Sequence, residues 1–317
     1  MKVCIGYQSA VEYWRLHRAL PDDSALRRQR IMLPDKPPTT DQANLSGLSL
    51  PLHIMLRNPN ARWASRTMTQ HVFSGNTPYG CFIGAEGRLD GLRVSSPEFC
   101  FLQMAGYLSL AGLIELGYEF CGKYSMPAAG DAEAPSRGFY HREPLTSVKK
   151  ISAFIARMPD FRGRKKAVRA LRYLLEGSAS PMETKLSMLL TLPYKLGGFG
   201  LPAPELNARV VPSKTAGKSS GRAFYVCDLF WADQNLAVEY DSDMFHTGSE
   251  RIAEDSLKRN SLALMGVTVI TVTTRQLYDS LEFEKAARTL ANCLGKRLVF
   301  KNPGFAAAHL ELRNQLL

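Results

Sequence analysis

The sequence predicts an α/β protein in two parts: an α/β sandwich with a mixed sheet in the C-terminal half, preceded by a smaller α+β domain. Three observations carry this. At 317 residues the chain is too long for one domain of ordinary size and suits two. A composition of 45% hydrophobic and 22% charged residues is that of a globular protein able to bury a core. The hydrophobic periodicity also changes along the chain. Short strand-like runs precede helices in the first half, and the second half reads helix, strand, turn, strand, helix, strand.

Taken in order, Ser9 to Leu20 reads as a helix with Ser9 as N-cap and Glu12 closing a capping box. Residues 21–50 are rich in Pro, Asp, Ser and Gly and read as loop. From Leu52 to Val94 the runs LHIML, HVFSG, GCFIG and LRVSS read as short strands. Ser95, Ser96, Pro97 and Glu98 then open a helical stretch through Tyr124, best divided into two helices. Residues 126–144 are the best linker or long loop, and a helical stretch broken near Pro159–Gly163 follows from Ser147 to Glu176. The domains expected are therefore 1–145, a basic helical connector over 146–177, and 178–317.

Ser180, Pro181 and Glu183 repeat the pattern of cap, first-turn proline and acid at the third position, before the helix TKLSMLLTL. The Gly197, Gly198, Gly200 cluster lacks the spacing of a phosphate loop. The runs AFYVCDLFW and LAVEY flank a turn of Ala232, Asp233, Gln234 and Asn235, which makes an antiparallel hairpin centred between Asp233 and Gln234. In that register Asp228 faces Glu239 across the hairpin, and Asp241 shares the face two residues on. A helix from Gly248–Glu250 then sets Asp255, Lys258, Leu262 and Met265 on roughly one face. Gly266 stops it, and VTVITV (267–272) reads as a buried strand.

Carboxylates within half-apolar strands repel each other and are costly to desolvate, a conflict that a divalent cation resolves. Hard oxygen donors at this density suit Mg²⁺ or Mn²⁺. The plainer alternative is a solvated outer face. His246, just downstream, reads either as part of this group or as a surface histidine. The remaining histidines have no acidic partners at useful spacing.

Net charge is +11 with a pI near 9.4, which favours a polyanionic partner. The densest basic segment carries Arg162, Arg164, Lys165, Lys166 and Arg169, with Val168, Leu171 and Leu174 as an apolar stripe. It reads either as a solvated helix packed on one side or as a phosphate-contacting helix. Six scattered cysteines without a CxxC pair read as reduced, mostly buried thiols rather than a zinc site. No apolar run reaches the roughly 18 residues of a membrane span, and the N-terminal residues do not read as a signal peptide. A cytoplasmic protein without a membrane partner is expected.

Together, S-P-x-E-T, D-L-x-W, A-V-E-Y-D with a following His, and D-x-x-K…L-x-x-x-G-V-x-V-I resemble the PD-(D/E)XK superfamily over about residues 178–281. More closely they resemble the endonuclease-like domains related to very-short-patch-repair enzymes. The resemblance implies a restriction-endonuclease-like fold and a Mg²⁺- or Mn²⁺-dependent deoxyribonuclease. Glu183 then matches the acid of the first core helix, Asp228 the motif Asp and Glu239 the motif Glu, with these three as metal ligands. Asp241 stands where the usual lysine would be, Ser242 replaces a Gly, and His246 and Lys258 match a following His and a basic helix position. The first half resembles, more distantly, bacterial AbiEi-type antitoxin proteins on VSSPEFCFLQMA and LGYEFCGKY. That implies a phage-defence or toxin–antitoxin setting. The displaced lysine leaves an alternative: a catalytically inactive nucleic-acid-binding regulator built on a nuclease fold.

Overall fold

The computed structural model describes residues 3–21, 31–39, 48–85, 91–129, 131, 135–211, 223–242, 249–300 and 303–317, with the side chains of 249–255 outside that description. It is mixed α/β with mixed sheets and divides into two compact units, Met1–Leu174 and Leu175–Leu317. The first unit is thus the larger. The helices expected as a connector over 146–177 belong to it as far as Leu174, because their apolar faces pack into its core.

In the first unit β1 (Val3–Ile5) leads into α1 (Tyr7–His17). Then come β2 (Leu52–Leu56), β3 (Met68–Val72), β4 (Phe82–Gly84) and β5 (Leu92–Ser95). They form a five-stranded sheet in the order β3-β2-β1-β5-β4, in which β1 pairs parallel to β5 and antiparallel to β2. The helices α2 (Pro97–Met104) and α3 (Leu110–Cys121) follow, then the short pair β6 (Tyr124–Ser125) and β7 (Tyr140–His141), α4 (Val148–Ala156) and α5 (Arg164–Leu171). As expected, Ser96 caps α2, its Oγ accepting from the Phe99 N–H, and Ser109 starts a separate α3. Trp14, Phe99, Phe101, Tyr118 and Phe120 are fully buried, and the Trp14 indole donates to the Ser95 carbonyl at 2.9 Å.

Two expectations for this unit fail on tertiary grounds. Gly6, not Ser9, is the N-cap of α1. Ser9 Oγ instead accepts from the His53 N–H at 2.9 Å, and Glu12 accepts from the N–H and hydroxyl of Ser49. The described part of 126–144, expected as a linker or long loop, is a loop that folds back into the unit. Tyr140 donates to Asp131 at 2.9 Å, and the Arg18 guanidinium lies 3.4 Å from the Tyr140 ring centre. The apolar side of α5 is Ala167 and Ala170, with Leu174 beyond its end, while Val168 and Leu171 are half-buried.

The second unit opens with α6 (Pro181–Thr191), capped by Ser180 as expected. Then come β8 (Glu205–Val210), β9 (Tyr225–Trp231), β10 (Leu236–Asp241), α7 (Ser249–Leu264), β11 (Thr268–Thr273), α8 (Thr274–Tyr278), α9 (Ser280–Cys293) and α10 (Phe305–Leu316). The sheet order is β11-β10-β9-β8; β10 and β11 are parallel, joined through α7, and the other pairs are antiparallel. The hairpin has the expected register: Leu236 opposite Trp231, Ala237 opposite Phe230 and Val238 opposite Leu229. Asn235, at φ 46°, closes its turn. β11 is an edge strand with only Val272 buried, so the expectation of a buried strand is corrected. β8 was not anticipated, since Leu206 and Ala208 are its only buried residues. Leu262 of α7 packs on Tyr225, Cys227 and Ala237. Phe283 of α9 and Phe305 of α10 form an aromatic cluster with Phe199 and Phe300 from the loops.

Among the described residues no helix is long and apolar enough to cross a membrane. Five cysteines are buried and Cys293 is exposed, all of them free thiols, as expected of scattered cysteines.

Gly197 has φ +87°, and a Cβ placed on it would lie 2.2 Å from the Ala308 carbonyl oxygen. The substitution Gly197→Ala therefore combines a left-handed backbone with a clash. It is expected to lower stability by about 2 kcal/mol or more. Urea denaturation followed by circular dichroism checks this, and an unchanged midpoint would contradict the packing of α10 against this turn.

Candidate functional site: a buried carboxylate cluster

Four ionisable side chains from four elements of the second unit act on one another. Glu183 stands in the first turn of α6, where the Ser180 cap and Pro181 start the helix. Its Oε2 accepts from the Ala179 N–H at 2.9 Å and from Asn207 Nδ2 at 2.6 Å. Asn207 belongs to β8 and has φ +49°, a conformation that asparagine tolerates better than most residues. Asp228 lies in β9, and its Oδ2 accepts from the Tyr240 N–H of β10 at 2.8 Å. One step beyond Val238 and Leu229 along the hairpin register sets Glu239 beside Asp228. Lys258, from the third turn of α7, donates to Glu239 Oε2 at 2.5 Å.

The electrostatics are those of charges taken out of water. Burial, then the Asp228 charge, raises Glu183 to about 7 despite its three hydrogen-bond donors. Burial also raises Asp228, against the pull of the Tyr240 N–H and of Lys258. Glu239 rises to about 7 through burial and Asp228, although Lys258 beside it opposes the shift. Lys258 is raised: burial acts to lower it, but Glu239 and Asp228 outweigh that. Among the described residues Glu239 Oε1 is buried without a hydrogen-bond partner of ordinary geometry, and the Cys227 thiol interacts with the same carboxylate.

The sequence-predicted residues divide clearly. Glu183, Asp228, Glu239 and Lys258 come together. Asp241 ends β10, half-buried, where its carbonyl accepts from the Thr274 hydroxyl at 3.3 Å. His246 lies outside the described residues, as does the side chain of Asp255. Asn207 and the Tyr240 N–H were missed. A lone Asn within ELNARV, and any backbone donor, leave no mark in a sequence. In the first unit Arg162, Lys165 and Arg169 are exposed, whereas Lys166 donates to the Leu108 carbonyl at 2.8 Å and Arg164 to that of Ile155 at 3.5 Å. Two of the five predicted phosphate ligands are thus partly engaged within the fold.

Among the described residues no three His, Cys, Asp or Glu side chains converge closely enough to hold a metal ion. The donor chemistry nonetheless fits a hard divalent cation. Fully ionised, three carboxylates and one ammonium carry a net charge of about −2, and the orphaned Glu239 Oε1 is an oxygen donor without a partner.

The chain matches no protein-family model, no curated protein and no solved structure.

Because Glu183 and Glu239 hold protons more tightly folded than unfolded, they favour the folded state most below the usual carboxylate range. That contribution is lost as pH rises through about 7. In EDTA the parent is therefore expected to lose stability between pH 5 and about pH 8. The variant Glu183→Gln should flatten that slope. Denaturation midpoints across this range test it; a midpoint that climbs with pH in the parent would refute the buried, protonated pair.

Proposed function

We propose that this protein is a metal-dependent endonuclease that hydrolyses phosphodiester bonds in DNA, with its active site on the β9–β10 hairpin of a restriction-endonuclease-like second unit. One observation carries the reading: Lys258 reaches Glu239 from α7 at 2.5 Å. The lysine that the motif lacks at Asp241 is supplied from the next helix, beside the same carboxylate. The order of elements, α6 then an antiparallel hairpin then a parallel crossover to β11, supports the same reading. So does the resemblance in the sequence motifs.

Asp228 and Glu239 would hold Mg²⁺ or Mn²⁺, with Glu183 as the further carboxylate, and the ion would supply Lewis acidity toward phosphate and water. The chain's own groups do the rest. Asn207 and the Ala179 N–H fix the Glu183 carboxylate, and the Tyr240 N–H fixes Asp228. Lys258 keeps its proton at neutral pH, so its Nζ can orient the attacking water or stabilise negative charge on the phosphate. The substrate fits a basic chain expected in the bacterial cytoplasm, with exposed Arg162, Lys165 and Arg169 as phosphate contacts.

Supercoiled plasmid incubated with Mg²⁺, Mn²⁺ or EDTA tests this. The parent is expected to nick in the presence of metal, and Asp228→Ala, Glu239→Ala and Lys258→Met to lose about 100-fold or more of that activity. Intact binding of the same DNA without cutting would favour instead the regulator, a nuclease fold that has lost catalysis. That alternative gains from the commitment of Glu183 Oε2 to two donors. Separately, Lys165→Glu with Arg169→Glu should weaken DNA binding at all sequences and reduce the salt slope by about two, whereas an unchanged slope would remove α5 from the interface.

A further inference from the structure

The first unit contains a cavity of about 430 Å³ that the proposed nuclease chemistry does not use. Its walls come from the edge strand β3, from Tyr7 at the start of α1, from the turn after α2 and from the turn between α4 and α5. Three features distinguish it from a packing gap.

The first is an aromatic floor. Tyr7 stacks on His71 with ring centres 3.8 Å apart, and Tyr107 meets Tyr7 edge-on at 5.1 Å. Tyr107 remains 61% exposed, so part of its ring surface is open to a visitor. The second is a neutral hydrogen-bonded chain: the Tyr107 hydroxyl lies 3.3 Å from His71 Nδ1, and His71 Nε2 lies 3.0 Å from His53 Nδ1. Burial holds His71 down at about 4, so the imidazole is uncharged at neutral pH.

The third is strain combined with an under-satisfied donor. Tyr7 has φ +53°, a region costly for any residue with a Cβ, and is held there by its N–H donating to Gln103 Oε1 at 2.9 Å. Gln103 is only 1% exposed, and among the described residues its amide nitrogen donates only to the Met55 thioether, a weak acceptor, at 3.5 Å. A strained backbone and an under-used buried amide thus line the same cavity.

Arg62 and Arg162 also line it, beside Asp160, and the Arg162 charge is felt at the Tyr7 hydroxyl. A cavity of this size accepts a small organic ligand. A wholly apolar ligand would leave the two arginine charges and the Gln103 amide nitrogen unused, and an inorganic anion would leave the rings unused. Rings beside guanidinium groups match a planar base joined to a phosphate.

We propose that this cavity binds a single nucleotide, its base stacked on Tyr107 and its phosphate on Arg162 and Arg62. The same chemistry is offered by a free mononucleotide and by the phosphorylated end of a strand. This site does not depend on the nuclease reading.

Isothermal titration of the full chain in EDTA, where cutting is suppressed, tests it with AMP, adenosine and a 5′-phosphorylated tetra-adenylate. AMP or the tetranucleotide is expected to bind at one site per chain, with adenosine about tenfold weaker. Both Tyr107→Ala and Arg162→Ala should weaken binding about tenfold, Tyr107→Phe should retain it, and Asp228→Ala should leave it unchanged. Tighter binding of the tetranucleotide identifies a strand end, and equal affinity a free nucleotide. No binding of either phosphorylated probe at about 1 mM would overturn the proposal. So would affinity indifferent to the Tyr107 and Arg162 substitutions, equal affinity for adenosine and AMP, or loss in Asp228→Ala.

Discussion

Desolvation of carboxylates is the constraint around which the second unit is organised. Glu183, Asp228 and Glu239 are held largely out of water with one ammonium group among them, and all three are raised above the ordinary carboxylate range. A buried charge is tolerated only if it is paired or hydrogen-bonded. The surrounding elements supply those partners: the N-terminus of α6 and Asn207 of β8 serve Glu183, the Tyr240 N–H serves Asp228, and α7 brings Lys258 to Glu239. The compensation is incomplete, because Glu239 Oε1 remains without an ordinary partner.

The first unit meets a similar problem by bidentate pairing, though Arg142 Nη1 has no hydrogen-bond partner among the described residues. Arg15 binds both oxygens of Glu119, at 3.0 and 2.7 Å, and the Met126 N–H adds a third donor. The buried Arg142 donates to the carbonyls of Tyr124 and Glu119, and burial lowers it to about 10, still cationic at neutral pH. These contacts join α1, α3 and the β6–β7 segment. Both clusters tie elements together; they differ in charge, since the first pairs Glu119 with two arginines and the second holds three carboxylates beside one lysine.

Local signals in the sequence were read correctly where the physics is local. Ser96 and Ser180 cap their helices because a hydroxyl, a proline and an acid within four residues suffice to satisfy a helix start. The hairpin register follows from its short turn, so the neighbourhood of Asp228 and Glu239 was legible before any tertiary contact was known. Lys258 and Leu262 share a helix face, one reaching Glu239 and the other the core, through helical periodicity alone. The same local reasoning misassigned Ser9 and Glu12, a valid capping box by spacing, because His53 and Ser49 compete for both side chains from distant strands.

By itself, then, the sequence determined the α/β class, the starts of α2 and α6, the hairpin and the identity of the acids, since each depends on neighbours within a few residues. Tertiary structure alone decided the rest. It placed β11 at an edge and turned Asp131 and Tyr140 back into the first unit. It brought Asn207 to Glu183 across 24 positions, and it gathered Tyr7, His71, Gln103 and Tyr107 around one cavity. Those outcomes depend on which surfaces meet when water is excluded, and no short-range pattern encodes that.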